Sequence, residues 1–575
     1  MTTAPPISAL ALTKRYGRGR GVEALSLVID RGAVFGFLGP NGAGKTTTIR
    51  MLLGLLRPTS GSAAIFGHDT WGDGVAARAC LGSLPGDFAF DDHATGAELL
   101  DLLAALRGAG DRRYARALAG CLDADLQRPF GELSRGNRQK LGLIQAVVHR
   151  PPLVVMDEPT SGLDPLVQEE FAALVRELRD DGTTVFLSSH NLPEVEQLCS
   201  RVAILRAGRL IAVERIEALT GRALRRVRMT FAGRPAPEAF ARLPGVQELH
   251  ADGSRIDFTV AGTLDPVVRT AAQHALADLE VSRPSLEDAF AAYYEHPDQR
   301  GGMSVALDRR TARSERLSLR APWLHIARYA LRRRRTAPLA WGLPLAALSV
   351  TVVAIFPRIS ASPQIDQLIE SYPEALKEAF GFSAQSFSSP EGYLAGELFS
   401  LIAPFACCYF VLHGLAVALR GADQRATLDV VLSTPIRRSQ YIAGWFAALA
   451  LALLGILAVL AILTQAAATV FGVDLALAST LAAVVNLWPL AVFAGGVTIV
   501  LSALMRGSAA VTGAATGVLV AMYFAEVLGR ISDAMSGVAR LSAFHFYGSA
   551  IEDGLDPAAC LGSSPRASRS PQPAA

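Results

Sequence analysis

The octapeptide Gly39-Pro-Asn-Gly-Ala-Gly-Lys-Thr46 restricts what this chain can fold into more than any other stretch. It has the spacing G-x-x-x-x-G-K-[ST]. The apolar run Ala33–Leu38 before it reads as a buried strand, and Thr47–Leu53 after it reads as a helix. That order of strand, loop and helix is what a phosphate-binding loop needs. Its glycines let the backbone of Gly39, Pro40, Asn41, Gly42, Ala43 and Gly44 curl so that N–H groups face inward, and the helix start adds the positive end of a dipole. Lys45 would reach the β- and γ-phosphates of ATP, and the Thr46 hydroxyl would hold Mg²⁺. Thr47 extends the nucleotide-contacting run into the first helical turn.

A second run supplies the acids such a loop requires. Leu153-Val-Val-Met-Asp-Glu158 is an apolar strand ending in two carboxylates. Asp157 is placed to hold Mg²⁺ through water, and Glu158 to polarise the water that attacks the γ-phosphate. Residues 7–32 read as short strands joined by a turn. Within them Tyr16 is an aromatic that can stack on adenine or simply pack at a strand end.

With 575 residues the chain is too long for one core. Up to about residue 300 it mixes charged and apolar positions as a soluble α/β protein does, whereas from residue 338 long uncharged apolar runs signal membrane spans. A net charge of only +3 gives no reason to expect nucleic acid as a partner. Cys80, Cys121, Cys199, Cys407, Cys408 and Cys560 lack metal-ligand spacing and read as reduced structural thiols. The N-terminus is polar, without the apolar core of a signal peptide, so none is expected.

Three further motifs follow in order: Leu133-Ser-Arg-Gly-Asn137, Ser161-Gly-Leu-Asp164 and Leu187-Ser-Ser-His190. Together with the phosphate loop and the acidic strand they resemble, over residues 5–215, the ATPase domain of ABC transporters. In that resemblance they are the signature motif, the D-loop and the switch-histidine strand. It implies two such domains closing head to tail on two ATP molecules, each held between one subunit's phosphate loop and the other's signature motif. It places Ser134 and the Gly136 N–H on a γ-phosphate, His190 as sensor of the same group, and Asp164 at the dimer seam. Arg135 and Asn137 depart from the usual glycine and glutamine of the signature. No glutamine follows Pro85 where the glutamine loop belongs, and Asp87 is the expected stand-in for Mg²⁺ contact and coupling.

Residues 216–300 read as a separate small unit. Arg226–Phe231 and Arg255–Val260 alternate as strands do, and Asp265–Leu279 reads as a helix capped by Asp265 with Pro266 in its first position. The unit resembles the C-terminal accessory domain of drug-export ATPases, ending in a similar Pro284-Ser-Leu-Glu-Asp-Ala-Phe290. His296–Arg320 reads as a linker, and the Met303-Ser-Val-Ala306 inside it is where a permease could begin, so the chain looks like two neighbouring subunits fused. Trp323–Arg335 is basic and amphipathic. Its Arg332–Arg335 cluster marks the side before the first span as cytoplasmic.

Five spans are expected, at 338–356, 395–419, 440–466, 478–503 and 508–528. Each is long enough for about 30 Å of hydrocarbon at about 1.5 Å per residue. Loop 357–394 carries Asp366, Glu370, Glu374, Glu378 and Glu391 and should lie outside, while loop 420–439 carries Arg420, Arg425, Arg437 and Arg438 and should lie inside. Thr427–Ile436 resembles the cytoplasmic coupling segment of ABC-2 type permeases, which sits in a groove on the ATPase, and Ser542–Gly548 resembles their re-entrant region. Such permeases usually have six spans, with both termini inside. Here the tail beyond Gly562 holds Arg566, Arg569 and three prolines, so a lost or out-of-frame last span with the C-terminus outside is expected. The polar groups in the spans are few, namely His413, Gln465, Asn486 and Glu526, which leans towards an apolar or amphiphilic cargo. Gly513 and Gly517 form a G-x-x-x-G suited to close helix packing.

The expected architecture is an α/β P-loop NTPase domain of the ABC ATPase kind (1–215), a small α+β accessory domain (216–300), a linker and amphipathic segment (301–335) and an all-α polytopic membrane domain (336–575). The expected function is ATP-driven, Mg²⁺-dependent export of an amphiphilic drug, antibiotic or lipid across the cell membrane. The implied partners are membrane lipid, the cargo, and a second copy or another half-transporter. An ABC mechanotransmitter without cargo, and a fusion that only binds ATP, stay open as alternatives. The spans argue against a soluble ATPase of translation or DNA repair.

Overall fold

Val34–Leu38, Leu153–Asp157 and Thr184–Ser189 are buried at every position, the pattern of strands covered on both faces. They form the middle of a six-stranded sheet in the order Arg209–Arg215, Arg201–Arg206, Val34–Leu38, Thr184–Ser189, Leu153–Asp157, Leu81–Leu84. All neighbours in it are parallel except the first pair. Phe186 lies near both Phe35 and Phe37, with ring centroids 6.1 and 5.4 Å away, which ties the strands Val34–Leu38 and Thr184–Ser189 together. Ligands gather at the carboxyl ends of strands in such sheets. Here those ends are Leu38, Leu84, Asp157 and Ser189, each followed by a motif residue. A second, antiparallel sheet joins Gly19–Ile29, Ile7–Tyr16, Ser60–Ile65 and His68–Asp69.

This computed structural model describes residues 4–282, 321–360, 389–547 and Ile551, apart from 18, 109, 222–224, 235, 261–262, 423–426 and 532–535. The expectations for 284–290, the linker 296–320, Asp366, Glu370, Glu374, Glu378, Arg425, Gly548, Cys560 and the tail fall outside the described residues. Two compact units are present, one within Met1–Leu319 together with Asp429–Ile436, the other within Arg320–Leu428 and Arg437–Ala575.

Within the first unit, a third sheet orders Val246–Asp252, Arg255–Val260, Arg225–Phe231 and Leu276–Ser282 around its own core of Val227, Met229, Phe240, Phe258 and Val267. The helix expected over Asp265–Leu279 is shorter. It covers Asp265–Ala271 with Leu264 at the cap position, and Leu276–Ser282 leaves it to pair with Arg225–Phe231. The strand pairing sets Glu280 opposite Arg228, at 2.8 Å, while Asp257 holds the same guanidinium from the other neighbour, also at 2.8 Å. Cross-strand pairing of this kind overrides the local helical signal.

Among the described residues of the second unit, five helices are long and apolar enough to cross a membrane: Ala337–Ser360, Ile402–Gly421, Arg438–Phe471, Leu477–Leu504 and Ser508–Ile531. The second starts at Ile402 rather than 395 because a short helix, Pro390–Leu394, and a π-helical turn, Ala395–Phe399, precede it. Asn486, Gln465 and Glu526 in the spans are hydrogen-bonded or ion-paired by the protein itself. Asn486 donates to Tyr547 O at 2.5 Å, and Gln465 bonds Leu475 O and Thr480 Oγ1, each at 3.1 Å. Glu526 lies 3.1 Å from both Arg530 and His545, and His413 stacks on Tyr409. The Asn486, Gln465 and Glu526–His545 contacts link separate helices and loops, as in other membrane bundles, whereas Glu526–Arg530 and Tyr409–His413 lie within one helix each. The helix Pro322–Arg333 buries Ile326, Ala327 and Ala330. Gly444 on the third span permits this approach, since a Cβ there would sit 2.7 Å from Ile326 Cβ. Gly513 and Gly517 face open space within the chain.

Candidate nucleotide site

The loop backbone requires glycine at two points: Gly42 and Gly44 have φ of +80° and +107°. Gly44 also caps the helix Lys45–Leu52 without a side-chain bond, leaving the first-turn N–H groups for an anion. Lys45 is buried, donates from Nζ to Gly39 O at 2.6 Å, and lies 3.5 Å from Glu158 Oε1.

Asp157 is buried at the end of its strand. Its carboxylate accepts from the Ser188 and Thr46 hydroxyls. Burial holds this carboxyl above its usual range. Ser188 and Thr46 offset part of that rise, Glu158 adds to it, and Lys45 opposes it. A buried carboxylate ringed by hydroxyls beside a phosphate loop is an oxygen donor set that suits Mg²⁺. Among the described residues no group of three or more His, Cys, Asp or Glu is placed to hold a metal ion.

Glu158 follows with φ of +50°, a left-handed backbone that costs a non-glycine residue about 1 kcal/mol or more. Its N–H donates to Ser188 O and Ser188 Oγ, each at 3.1 Å, and its Oε2 lies 3.4 Å from His190 Nδ1. Gly86 packs beside Asp157, so that a Cβ there would lie 3.3 Å from Oδ2. The loop after Pro85 therefore reaches the acid through its backbone, while the Asp87 side chain is exposed. Tyr16 is half-exposed at the end of its strand, available as a stacking surface.

A second grouping forms around the turn at Ser161. Ser134 caps the helix Arg135–Val147 and accepts from Asn137 N–H at 3.2 Å. Arg135 donates to Ser161 Oγ at 3.0 Å, and Gly136 approaches the Gly162 carbonyl. Asp164 caps Pro165–Asp180, accepting from Val167 N–H at 3.1 Å, and is exposed.

Two participants were not legible beforehand. Gln139 is buried and donates from Nε2 to Glu158 O at 3.3 Å and Pro159 O at 2.9 Å. Glu194 accepts from Ser189 Oγ at 2.8 Å and Thr160 Oγ1 at 3.0 Å, with burial pushing its carboxyl up. Each is a polar residue on the buried face of a helix, the one signal that marked them.

The segment Asp429–Ile436 belongs to the first unit. Asp429 Oδ2 accepts from Arg50 at 2.6 Å, and Arg50 lies in the last turn of the helix that Lys45 begins. Arg78, buried, donates to Thr434 O at 3.0 Å and Ile436 O at 2.8 Å.

A phosphate loop, an acid pair at the next strand, a signature-type helix start and a histidine strand on one parallel sheet define a P-loop ATPase of the ABC kind. Residues 22–161 match the ABC transporter family, and residues 327–563 match the family described as "Multidrug efflux system permease Rv1217c, C-terminal domain". The chain is 34% identical over 336 residues to the Daunorubicin/doxorubicin resistance ATP-binding protein DrrA of Streptomyces peucetius, covering 54% of this chain and 100% of that protein. It is 38% identical over 208 residues to the Bacitracin transport ATP-binding protein BcrA of Bacillus licheniformis, covering 36% and 68%. Against ATP-binding cassette sub-family A member 7 of Mus musculus it is 38% identical over 300 residues, which is 48% of this chain and only 14% of that protein. This chain belongs to the ABC transporter family, with ATPase and permease fused in one multi-pass membrane protein.

Proposed function

We propose that the chain is an ATP-driven exporter of an amphiphilic compound and that two copies close on two ATP molecules. The observation that carries this reading is the convergence of Lys45, the Thr46–Asp157 pair and the Glu158–His190 pair at the carboxyl ends of the central strands, in a chain whose described residues include five apolar helices. The N–H groups of the loop and Lys45 bind the triphosphate. Thr46 and Asp157 would hold Mg²⁺, which supplies charge neutralisation on the phosphates when bound. Glu158 orients the attacking water and accepts its proton, and His190 holds the other carboxylate oxygen. Ser134 and Gly136 of one copy face the γ-phosphate on the other, and Asp164 lies at the seam. Through Arg50 and Arg78, movement of the ATPase is passed to Asp429–Ile436 and so to the adjoining spans. With Asn486, Gln465 and Glu526 engaged by the protein itself, apolar surface is the main means of cargo recognition that the spans offer. The antibiotic-named relatives support a drug-like cargo.

The test is ATP hydrolysis and compound movement in liposomes, with daunorubicin and bacitracin as probes. The parent is expected to be stimulated and to move at least one of them. Glu158→Gln is expected to retain ATP and to lose turnover by about 100-fold or more. Parent-level turnover in that variant removes Glu158 from its role. Hydrolysis indifferent to both compounds, with neither moved, favours the mechanotransmitter reading.

A further inference from the structure

Glu158 is the residue to which the proposed chemistry is assigned, and its backbone is in a conformation that side-chain-bearing residues avoid, φ +50°. Such a conformation persists only where neighbours over-determine it. On its amide side Ser188 O and Oγ accept its N–H, each at 3.1 Å. On its carbonyl side stands Gln139, whose Nε2 donates to Glu158 O at 3.3 Å and to Pro159 O at 2.9 Å. Two carbonyls facing one amide leave no choice about which end of the Gln139 amide points at them. Gln139 is 5% exposed, so water does not compete for these bonds.

The helix that carries Gln139 begins at Arg135, where a second contact reaches the same segment: the Arg135 guanidinium donates to Ser161 Oγ at 3.0 Å, and its aliphatic stem lies against Gly162, whose φ is +82°. One rigid element therefore grips the stretch 158–162 at both ends. Its first turn, capped by Ser134, is the part that the dimer reading directs at the partner's nucleotide. About 7.5 Å along the same helix, by its rise per residue, Gln139 holds the water-activating residue of its own site.

We propose that Gln139 and Arg135 are positioning residues: through them the signature helix holds Glu158 in its strained conformation and passes the occupancy of one nucleotide site to the acid of the other. This rests on the exporter reading above for the role of Glu158 and for the dimer. The unusual arginine of the signature, in place of glycine, acts on the D-loop of its own chain rather than on phosphate.

The experiment compares Gln139→Leu, Gln139→Glu, Arg135→Ala, Ser161→Ala and the Arg135→Ala/Ser161→Ala pair in the full-length protein in liposomes. It reads kcat, KM for ATP and binding of a fluorescent ATP analogue. Glutamate at 139 keeps the shape and loses the N–H donors. Both 139 variants are expected to lose kcat about 10-fold or more, with KM, analogue affinity and the number of analogue molecules bound per chain within about 2-fold; general unfolding would lower that number along with kcat. Arg135→Ala and Ser161→Ala, at positions open to solvent, are each expected to lower kcat about 3-fold, and the pair no further, as residues in one contact do. Parent-like kcat in Gln139→Glu overturns the Gln139 role. Additive losses, or none, in the Arg135 and Ser161 variants overturn the second contact. Glu158→Gln runs alongside: its retaining turnover sinks the exporter chemistry, whereas its losing turnover while the 139 and 135 variants stay parent-like sinks only this inference.

Discussion

Replacing Arg78 with Met tests how the ATPase holds the permease loop. The side chain is 8% exposed, and its guanidinium donates to Thr434 O at 3.0 Å and Ile436 O at 2.8 Å. Hydrogen bonds from a charged group contribute about 1.5–3 kcal/mol each, so losing both costs roughly 3–6 kcal/mol. Met keeps much of the length and apolar body, which separates lost bonds from lost packing. The remaining ion pair, Arg50 with Asp429, compensates little: Arg50 is 48% exposed, and such pairs contribute under about 1 kcal/mol. Even the lower figure shifts the docked fraction of 429–436 about 100-fold. The assay is ATP hydrolysis in liposomes with and without daunorubicin. Arg78→Met is expected to keep its basal rate within about 2-fold and to lose the stimulated increment and the movement of compound, the result of freeing the loop without touching the nucleotide site. Full stimulation in Arg78→Met, and in its combination with Arg50→Ala, would show that these contacts transmit nothing.

Lys45→Ala removes the one buried ammonium of the site, and ATP binding by filter or fluorescence titration should weaken at least 10-fold, in keeping with a lost charge-assisted contact. Thr46→Val removes the hydroxyl that bonds Asp157, and the Mg²⁺ concentration for half-maximal hydrolysis should rise several-fold; an unchanged requirement would take Thr46 out of the metal site. Burial, helped by the Arg107 guanidinium, holds the His149 imidazole down at about 3 against an ordinary 6.5. The unfolded chain then binds the extra proton between those values, so this contribution is complete above pH 6.5 and is lost as pH falls towards 3. The thermal midpoint should drop by several degrees between pH 7 and pH 5, and less in His149→Gln; equal drops would refute the assignment.

Contiguous motifs were the legible part of this fold. Gly39–Thr46 carries its own strand and helix, so its geometry follows from neighbours in sequence. The spans are long apolar runs, and the five helices agree with them except where π-helical turns and short pieces interrupt near 395. What local reading misses depends on distant partners. Leu276–Ser282 becomes a strand because its backbone pairs with Arg225–Phe231, far away in sequence, with Glu280 opposite Arg228. Gln139, Arg50 and Arg78 look like ordinary helix residues until the carbonyls of Glu158 and Thr434 and the carboxylate of Asp429 come to meet them.

The two arginines that hold Asp429–Ile436 differ in what they can recognise. Arg78 binds main-chain oxygens, which every peptide of the right shape offers, whereas Arg50 binds a carboxylate that one particular side chain supplies. Adhesion and identity are thus assigned to separate residues. A chain that carries both halves covalently keeps the loop at high local concentration whatever its sequence. Of the two contacts, the one between Arg50 and Asp429 is therefore the one that depends on the loop's sequence, and the tether makes that dependence weak within this chain.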